Sequence, residues 1–262
     1  MGQSPSTPQP GTKLRVIGAG LSRTGTASFS AALAILLNGP VYHGGTQTTT
    51  GPPDNITTWM KVMRLILNDN APDRQQALTL IDRQLDGYAA ITDAPGTQLV
   101  PELMEVYPDA KVICTVRDPI AWEKSMTHLE GLVRSSWFLR VVTLPIPGIR
   151  HFMDFLALVA LQWRRIYGRR GGPSGAYHKH IEWLKEVVPE EKLMFFDIRD
   201  GWEPLCKALG MEVPKDTPFP RDNDSEAITR TVRWHVRRGL IRWVGIFAVV
   251  AAMSFGVYML RR

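Results

Sequence analysis

The sequence predicts an α/β fold: a P-loop-like, three-layer domain with a central parallel sheet, followed by a C-terminal transmembrane helix. Three observations predict it. Short apolar runs of strand length alternate with helical stretches, the pattern of a parallel sheet covered on both faces. The first run enters a glycine-rich turn that passes directly into a helix, GAGLSRTGTAS over residues 18–28. The run from Trp243 to Leu260 carries no charge over eighteen residues, just enough to cross a slightly thinned bilayer or to cross with little tilt.

The elements follow in order. Residues 1–12 (MGQSPSTPQPGT) are rich in Pro, Ser, Thr and Gln, cannot build a core and are expected to be disordered. They lack the basic and apolar parts of a secretory signal, but begin M-G-x-x-x-S, with Gly2 and Ser6 matching the short N-myristoylation pattern. The α/β domain is expected over residues 13–222. Strands are predicted at 14–19 (LRVIGA), 88–92 (YAAIT), 111–116 (KVICTV) and 193–197 (LMFFD). Helices are predicted at 26–37, 59–67, 73–86, 97–107, 119–130, 151–167, 176–188 and 202–209. Pro119 suits a first helical turn. Residues 223–240 read as a basic linker or helix, and 241–262 as a tail anchor. Trp243 and Tyr258 stand near the ends of the uncharged run, as interfacial aromatics do. Arg237, Arg238 and Arg242 flank one side, Arg261–Arg262 the other. A terminal span inserts after synthesis, so the preceding domain is expected to stay cytosolic.

Composition narrows the partners. The 262 residues carry a net charge of +6 and a pI of about 9.5, which suits an anionic ligand or membrane surface. No basic run is interleaved with aromatics at base-stacking spacing, so no nucleic-acid partner is expected. Cys114 and Cys206 are isolated, giving neither a metal site nor a disulfide framework, and they suit a reducing compartment. The oligomeric state is not legible.

The loop after the first strand carries the chemistry. Backbone N–H groups and a helix N-terminus converge where an anion fits. Ser22 belongs to the same turn, Arg23 adds a fixed charge, Thr24, Thr26 and Ser28 add hydroxyls, and Gly25 and Ala27 contribute backbone. Gly20 and Gly25 have the spacing of the nucleoside-triphosphatase loop, but Thr26 stands where that loop needs lysine. Gly18 and Gly20 begin a dinucleotide fingerprint, but Arg23 replaces its third glycine, and no acid follows near 38–45 for the ribose. A glycine turn without a ligand is the plain alternative.

A second motif follows the third predicted strand, in KVICTVRDPIAWEKS. Arg117 ends the strand and Ser125 lies eight residues on, so both can grip one phosphate. The plain alternative is an Arg117–Asp118 pair.

The two motifs together resemble the sulfotransferase family, over roughly residues 14–222. That family uses the co-substrate PAPS (3′-phosphoadenosine 5′-phosphosulfate). Its 5′-phosphosulfate loop has a basic residue before Ser/Thr-Gly-Thr, and it holds the 3′-phosphate with an Arg after a strand and a Ser eight residues later. The likeness is to a fungal-type branch with R-T-G-T in the first loop and a later F-P-R-x-N, here Phe219-Pro220-Arg221-Asp222-Asn223. The Arg-Lys-Gly loop of other members is absent, and Arg221 is expected to replace its phosphate contact. Where members often have T-H-x-P, this chain has Thr92-Asp93-Ala94-Pro95.

The resemblance implies sulfonate transfer from PAPS to a small, lipophilic alcohol or phenol, without a metal. Arg23 would stabilise the leaving phosphate. Asp93 is the expected general base, with a helix N-cap as its ordinary alternative. His43, in Val-Tyr-His-Gly-Gly, is the second expected base. His128 lies on the Ser125 helix, while His178 and His180 read as a solvated helix face. Trp59, Met60 and Met63, or the apolar 137–156 region, would form the acceptor pocket. Two other functions remain: an NAD(P)-dependent oxidoreductase of Rossmann type, and a membrane-tethered nucleotide-binding protein without catalysis.

Overall fold

The structure, a computed structural model, describes residues 4–133, 136–168, 173–222 and 224–262. Gly2, and with it the myristoylation motif, lies outside them, as does Asn223.

Five parallel strands form one sheet in the order β2-β3-β1-β4-β5. They are β1 (Val16–Gly18), β2 (Val41–His43), β3 (Ala90–Thr92), β4 (Lys111–Val116) and β5 (Leu193–Asp197). Ala90 of β3 is the register partner of both Val16 and Val41. Alternate residues point to opposite faces. Val16, Ala90, Ile113 and Phe196 pack under α1 (Thr26–Leu37). Ile17, Ile91, Val112 and Cys114 belong to the larger opposite core. Its helices are α3 (Pro53–Leu67), α4 (Ala71–Leu85), α5 (Val100–Val106), α8 (Phe152–Tyr167) and α9 (Pro173–Val187). The sheet is thereby buried on both faces, which explains why its strands read as continuous apolar runs.

Between β2 and α3 stands α2 (Gly44–Thr50). Between β4 and α8 stand α6 (Pro119–Val133) and α7 (Ser136–Thr143). After β5 come α10 (Trp202–Leu209) and α11 (Asp224–Leu260). The last is one continuous helix where the sequence suggested a linker followed by an anchor. Nothing interrupts it because residues 224–242 contain no proline and form turns of their own on the domain. Its apolar stretch has mean hydropathy 2.0 and none of it is buried; by length and composition it is able to cross a membrane.

The fifth strand, β2, was not predicted. It has three residues and only two buried apolar ones, too short to show a period. Nor was α2, whose GGTQTTT sequence is poor in helix formers. Its threonines turn their hydroxyls back onto the preceding turn, Thr48 to Gly44 O at 2.7 Å and Thr49 to Gly45 O at 2.6 Å. The predicted 97–107 helix is a 3₁₀ turn (Gly96–Gln98) followed by α5. The described N-terminal residues bond to the domain. Ser6 Oγ donates to Val41 O at 2.6 Å, Gln47 Nε2 to Ser6 O at 2.7 Å, and Gln9 N to Gly87 O at 2.8 Å. One backbone and two side-chain hydrogen bonds, to β2, α2 and the turn before β3, hold the segment.

Candidate functional site

All five strands end at one edge of the sheet, and the loops there bring the expected site residues together. The β1 loop is shaped by close approach. A Cβ at Gly20 would lie 1.9 Å from Thr115 Oγ1 and 2.7 Å from its backbone N, so only glycine fits beside β4. Arg23 (φ 75°) and Gly25 (φ 91°) are left-handed, which curls the backbone into the concave turn that presents N–H groups at the start of α1. Gly25 caps α1 with no side-chain hydrogen bond, and the first turn holds no acid. That helix end therefore favours an anion on charge grounds.

The hydroxyls have separate partners. Thr24 Oγ1 donates inward to Leu21 O at 2.7 Å and contacts Thr115. Ser28 Oγ accepts from Asp222 N at 2.9 Å. Thr26 Oγ1 lies 3.3 Å from His43 Nε2, and Ser22 Oγ donates to Asp93 Oδ1. Thr24 thus braces the loop from beneath, whereas Thr26 stands at the cavity with Ser22, Arg23 and Ala27.

The loops after β1 and β4 are stitched to each other. Arg23 Nε donates to Ser125 Oγ at 3.0 Å, and Arg117 Nη1 to Arg23 O at 3.3 Å. Trp122 Nε1 donates to Ser22 O at 2.8 Å. Tyr177 holds the Arg117 backbone through both of its polar groups, accepting from Arg117 N at 3.0 Å and donating to Arg117 O at 2.7 Å. The two arginines therefore share one edge of the sheet. Ser125 meets Arg23 rather than Arg117, because α6 carries it over the β1 loop.

Arg221 arrives from the other side. Phe219 packs on Trp202 and Phe196, with ring centroids 4.9 and 6.0 Å apart. With the Asp222–Ser28 bond, that packing sets Arg221 on the cavity wall.

Asp93 (φ 66°) ends β3 and is 7% exposed. It caps no helix. Its carboxylate accepts from Ser22 Oγ and from Gly45 N at 3.2 Å. His43 caps α2 through Nδ1, which accepts from Thr46 N at 3.2 Å. That bond leaves the proton on Nε2, which faces Asp93 Oδ2 at 3.7 Å. The distance is too long for a direct hydrogen bond, so the ring N–H is turned towards the carboxylate without closing on it. Two glycines make the approach possible. A Cβ at Gly44 would lie 1.9 Å from Ala94 O, and one at Gly45 would lie 2.6 Å from Asp93 Oδ2. This signal was available in Val-Tyr-His-Gly-Gly; the sequence alone did not tell that Asp93 and His43 share a site.

Both line a cavity of about 430 Å³. Its polar end carries Ser22, Arg23, Thr26, Asp93 and His43. Its opposite end is apolar, with Leu139, Ile149, Phe152, Phe155 and Leu156, and the Glu226–His235 turns of α11 form a wall. The 137–156 region therefore borders the site, as one expectation had it. Trp59, Met60 and Met63 do not: they are 0–4% exposed in the main core. The α11 wall was missed, since residues 223–240 read only as basic.

His180 is a further correction. Expected on a solvated face, it is 1% exposed. Its Nε2 donates to Ala19 O at 2.7 Å, and Nδ1 accepts from Tyr167 OH at 2.7 Å. Burial lowers its pKa to about 4, keeping the ring neutral. It pins the residue that opens the β1 loop. His178 is exposed, as is His128. Cys114 and Cys206 are buried free thiols.

Two comparisons with known proteins agree with this geometry. A family model described as a sulfotransferase domain matches residues 15–228. "Ava biosynthesis cluster protein M" of Aspergillus versicolor is 28% identical over 231 residues, 84% of this chain and 85% of that protein. The match spans every strand and every loop that meets at the cavity, and the chain belongs to the sulfotransferase-domain family.

Proposed function

We propose that this protein transfers a sulfonate group from PAPS to the hydroxyl of a small lipophilic alcohol or phenol, on a cytosolic domain that α11 tethers to a membrane. The observation that carries the reading is the Arg23–Ser125–Arg117 cluster beside Asp93 at one sheet edge. The residues fit PAPS: the first turn of α1 holds no acid of its own, Arg23 and Arg221 reach the same cavity from two loops, and Arg117 is bonded to Arg23 O behind it.

PAPS supplies the sulfonate, which leaves adenosine 3′,5′-bisphosphate behind. The Gly25–Ser28 backbone and Arg23 would hold the 5′ end and stabilise the charge that builds on its phosphate oxygen. Arg117 and Ser125 would hold the 3′-phosphate, with Arg221 as a further contact. Asp93 would accept the proton of the acceptor hydroxyl as the new O–S bond forms and the S–O bond to phosphate breaks. His43, its Nε2 proton towards Asp93, would keep that carboxylate aimed. The apolar end of the cavity supports a lipophilic acceptor.

A dinucleotide reading has less support. β1 lies between β3 and β4, whereas the Rossmann order sets it between the second and fourth strands. β2 ends in His43-Gly44-Gly45, with no acid for a ribose.

The test is product formation. Full-length protein in nanodiscs with PAPS and a panel of lipophilic alcohols and phenols is expected to give sulfonated product by mass spectrometry. Asp93→Asn should cut turnover by about 100-fold or more while bisphosphate still binds. Bisphosphate binding with no product across the panel would mean a tethered binding protein instead.

A further inference from the structure

α7 presents three faces. Leu139 and Thr143 line the cavity. Val142 lies against α11 at Gly239, where a Cβ would stand 2.1 Å from Val142 O. The third face carries Trp137 and Val141, with Phe138 beside them, and Leu144 continues it at helical spacing in the turn that follows. All four are exposed, Trp137 by 74%. An apolar stripe at this spacing ordinarily packs inward, and a contiguous exposed one marks a contact surface.

We infer that this stripe docks into the headgroup boundary of the bilayer, so that the domain lies against the membrane with α7 in its surface. The inference rests on the proposed crossing by α11. Trp243 Nε1 donates to Val141 O at 2.9 Å, and Arg242 Nη1 to Pro145 O at 2.7 Å. α7 is thereby fixed to the first residues of the uncharged run. Any bilayer that takes up Trp243–Leu260 has its surface at α7.

The stripe has interfacial chemistry, with Trp137 and Phe138 in edge contact at 6.2 Å. Its surroundings are basic. Arg140, ion-paired with Asp154, lies on α7 itself, and exposed Arg150 and Arg237 belong to the adjoining elements. That rim complements anionic headgroups. The same helix borders the cavity on its Leu139–Thr143 side, so docking would bring the acceptor end within reach of molecules dissolved in the lipid. A second copy of the chain would have to displace the lipid that α11 draws to this face.

The test uses full-length protein in phosphatidylcholine–phosphatidylserine vesicles, carrying one environment-sensitive fluorophore on an introduced cysteine. The native thiols are buried. Leu144→Cys reports α7, Val250→Cys the span, and Glu190→Cys the far edge of the sheet. The Leu144 probe should be blue-shifted and quenched more by shallow than by deep nitroxide lipids. The Val250 probe should be quenched by deep ones, and the Glu190 probe by neither. A deep Val250 probe with a water-exposed Leu144 probe overturns the docking and leaves the span intact. A water-exposed Val250 probe overturns both. A Leu144 probe that lipid nitroxides do not quench, but that shows energy transfer to a second labelled chain, assigns the face to a dimer and overturns the docking.

Discussion

His180 shows how much one side chain's environment decides. In sequence it sits beside His178 on a polar helix and reads as solvent-facing. In the fold it lies under the β1 loop with both ring nitrogens engaged and its pKa lowered to about 4. A depressed histidine pKa means the unfolded chain binds a proton that the folded one refuses. Its contribution is therefore complete above pH 6.5 and is lost as the pH falls towards 4, by up to roughly 3 kcal/mol. Denaturant midpoints should drop more steeply over that interval in the wild type than in His180→Phe; parallel pH profiles would contradict the assignment. Asp93 was legible only as one of two candidates. Its hydrogen bonds come from Ser22 and Gly45, which are 71 and 48 residues distant in sequence, and no local pattern shows such meetings.

At the scale of elements, legibility followed length and period. The helix at 26–37 and the strands at 111–116 and 193–197 have the predicted bounds because each is an uninterrupted apolar or amphipathic segment between clear turns. β2 and α2 escaped notice, since three residues carry no period and a Gly-Thr helix contradicts propensity. They nonetheless deliver His43 and the Gly45 amide to Asp93. The β1 loop depends on two backbones touching. Gly20→Ala forces a Cβ into the Thr115 backbone and should destabilise the domain by about 1–3 kcal/mol or more, read as a lowered denaturant midpoint. Gly45→Ala presses on the Asp93 carboxylate, at 2.6 Å, with His43 Cε1 next at 3.4 Å and no backbone atom among the nearest three. It is expected to keep most of the stability but to lose turnover by about tenfold or more, since a small displacement of a catalytic group is costly. Equal stability losses in the two variants would contradict this division.

For the whole molecule, the parallel α/β architecture was legible because alternation of strand and helix is a global pattern. The arrangement of the cavity was not: its walls come from α2, α7, α8 and the first turns of α11, brought together only by folding. α11 therefore has two parts in one helix. Its first turns close the cavity, and its exposed apolar remainder is long enough for a bilayer. A chain ending at Arg242 is expected to leave the carbonate-resistant membrane fraction while keeping bisphosphate affinity. A chain ending at Asp222, which lacks the α11 wall, should in addition lose acceptor turnover.

Arg23 and Arg117 are proposed to grip two ends of one nucleotide, and calorimetric titration with adenosine 3′,5′-bisphosphate reads that grip. The full chain should bind it saturably at 1:1, Arg117→Ala should lose about tenfold or more in affinity, equivalent to about 1.4 kcal/mol, and NAD(H) should show no comparable affinity. Unchanged affinity in Arg117→Ala, or preference for NAD(H), would contradict it.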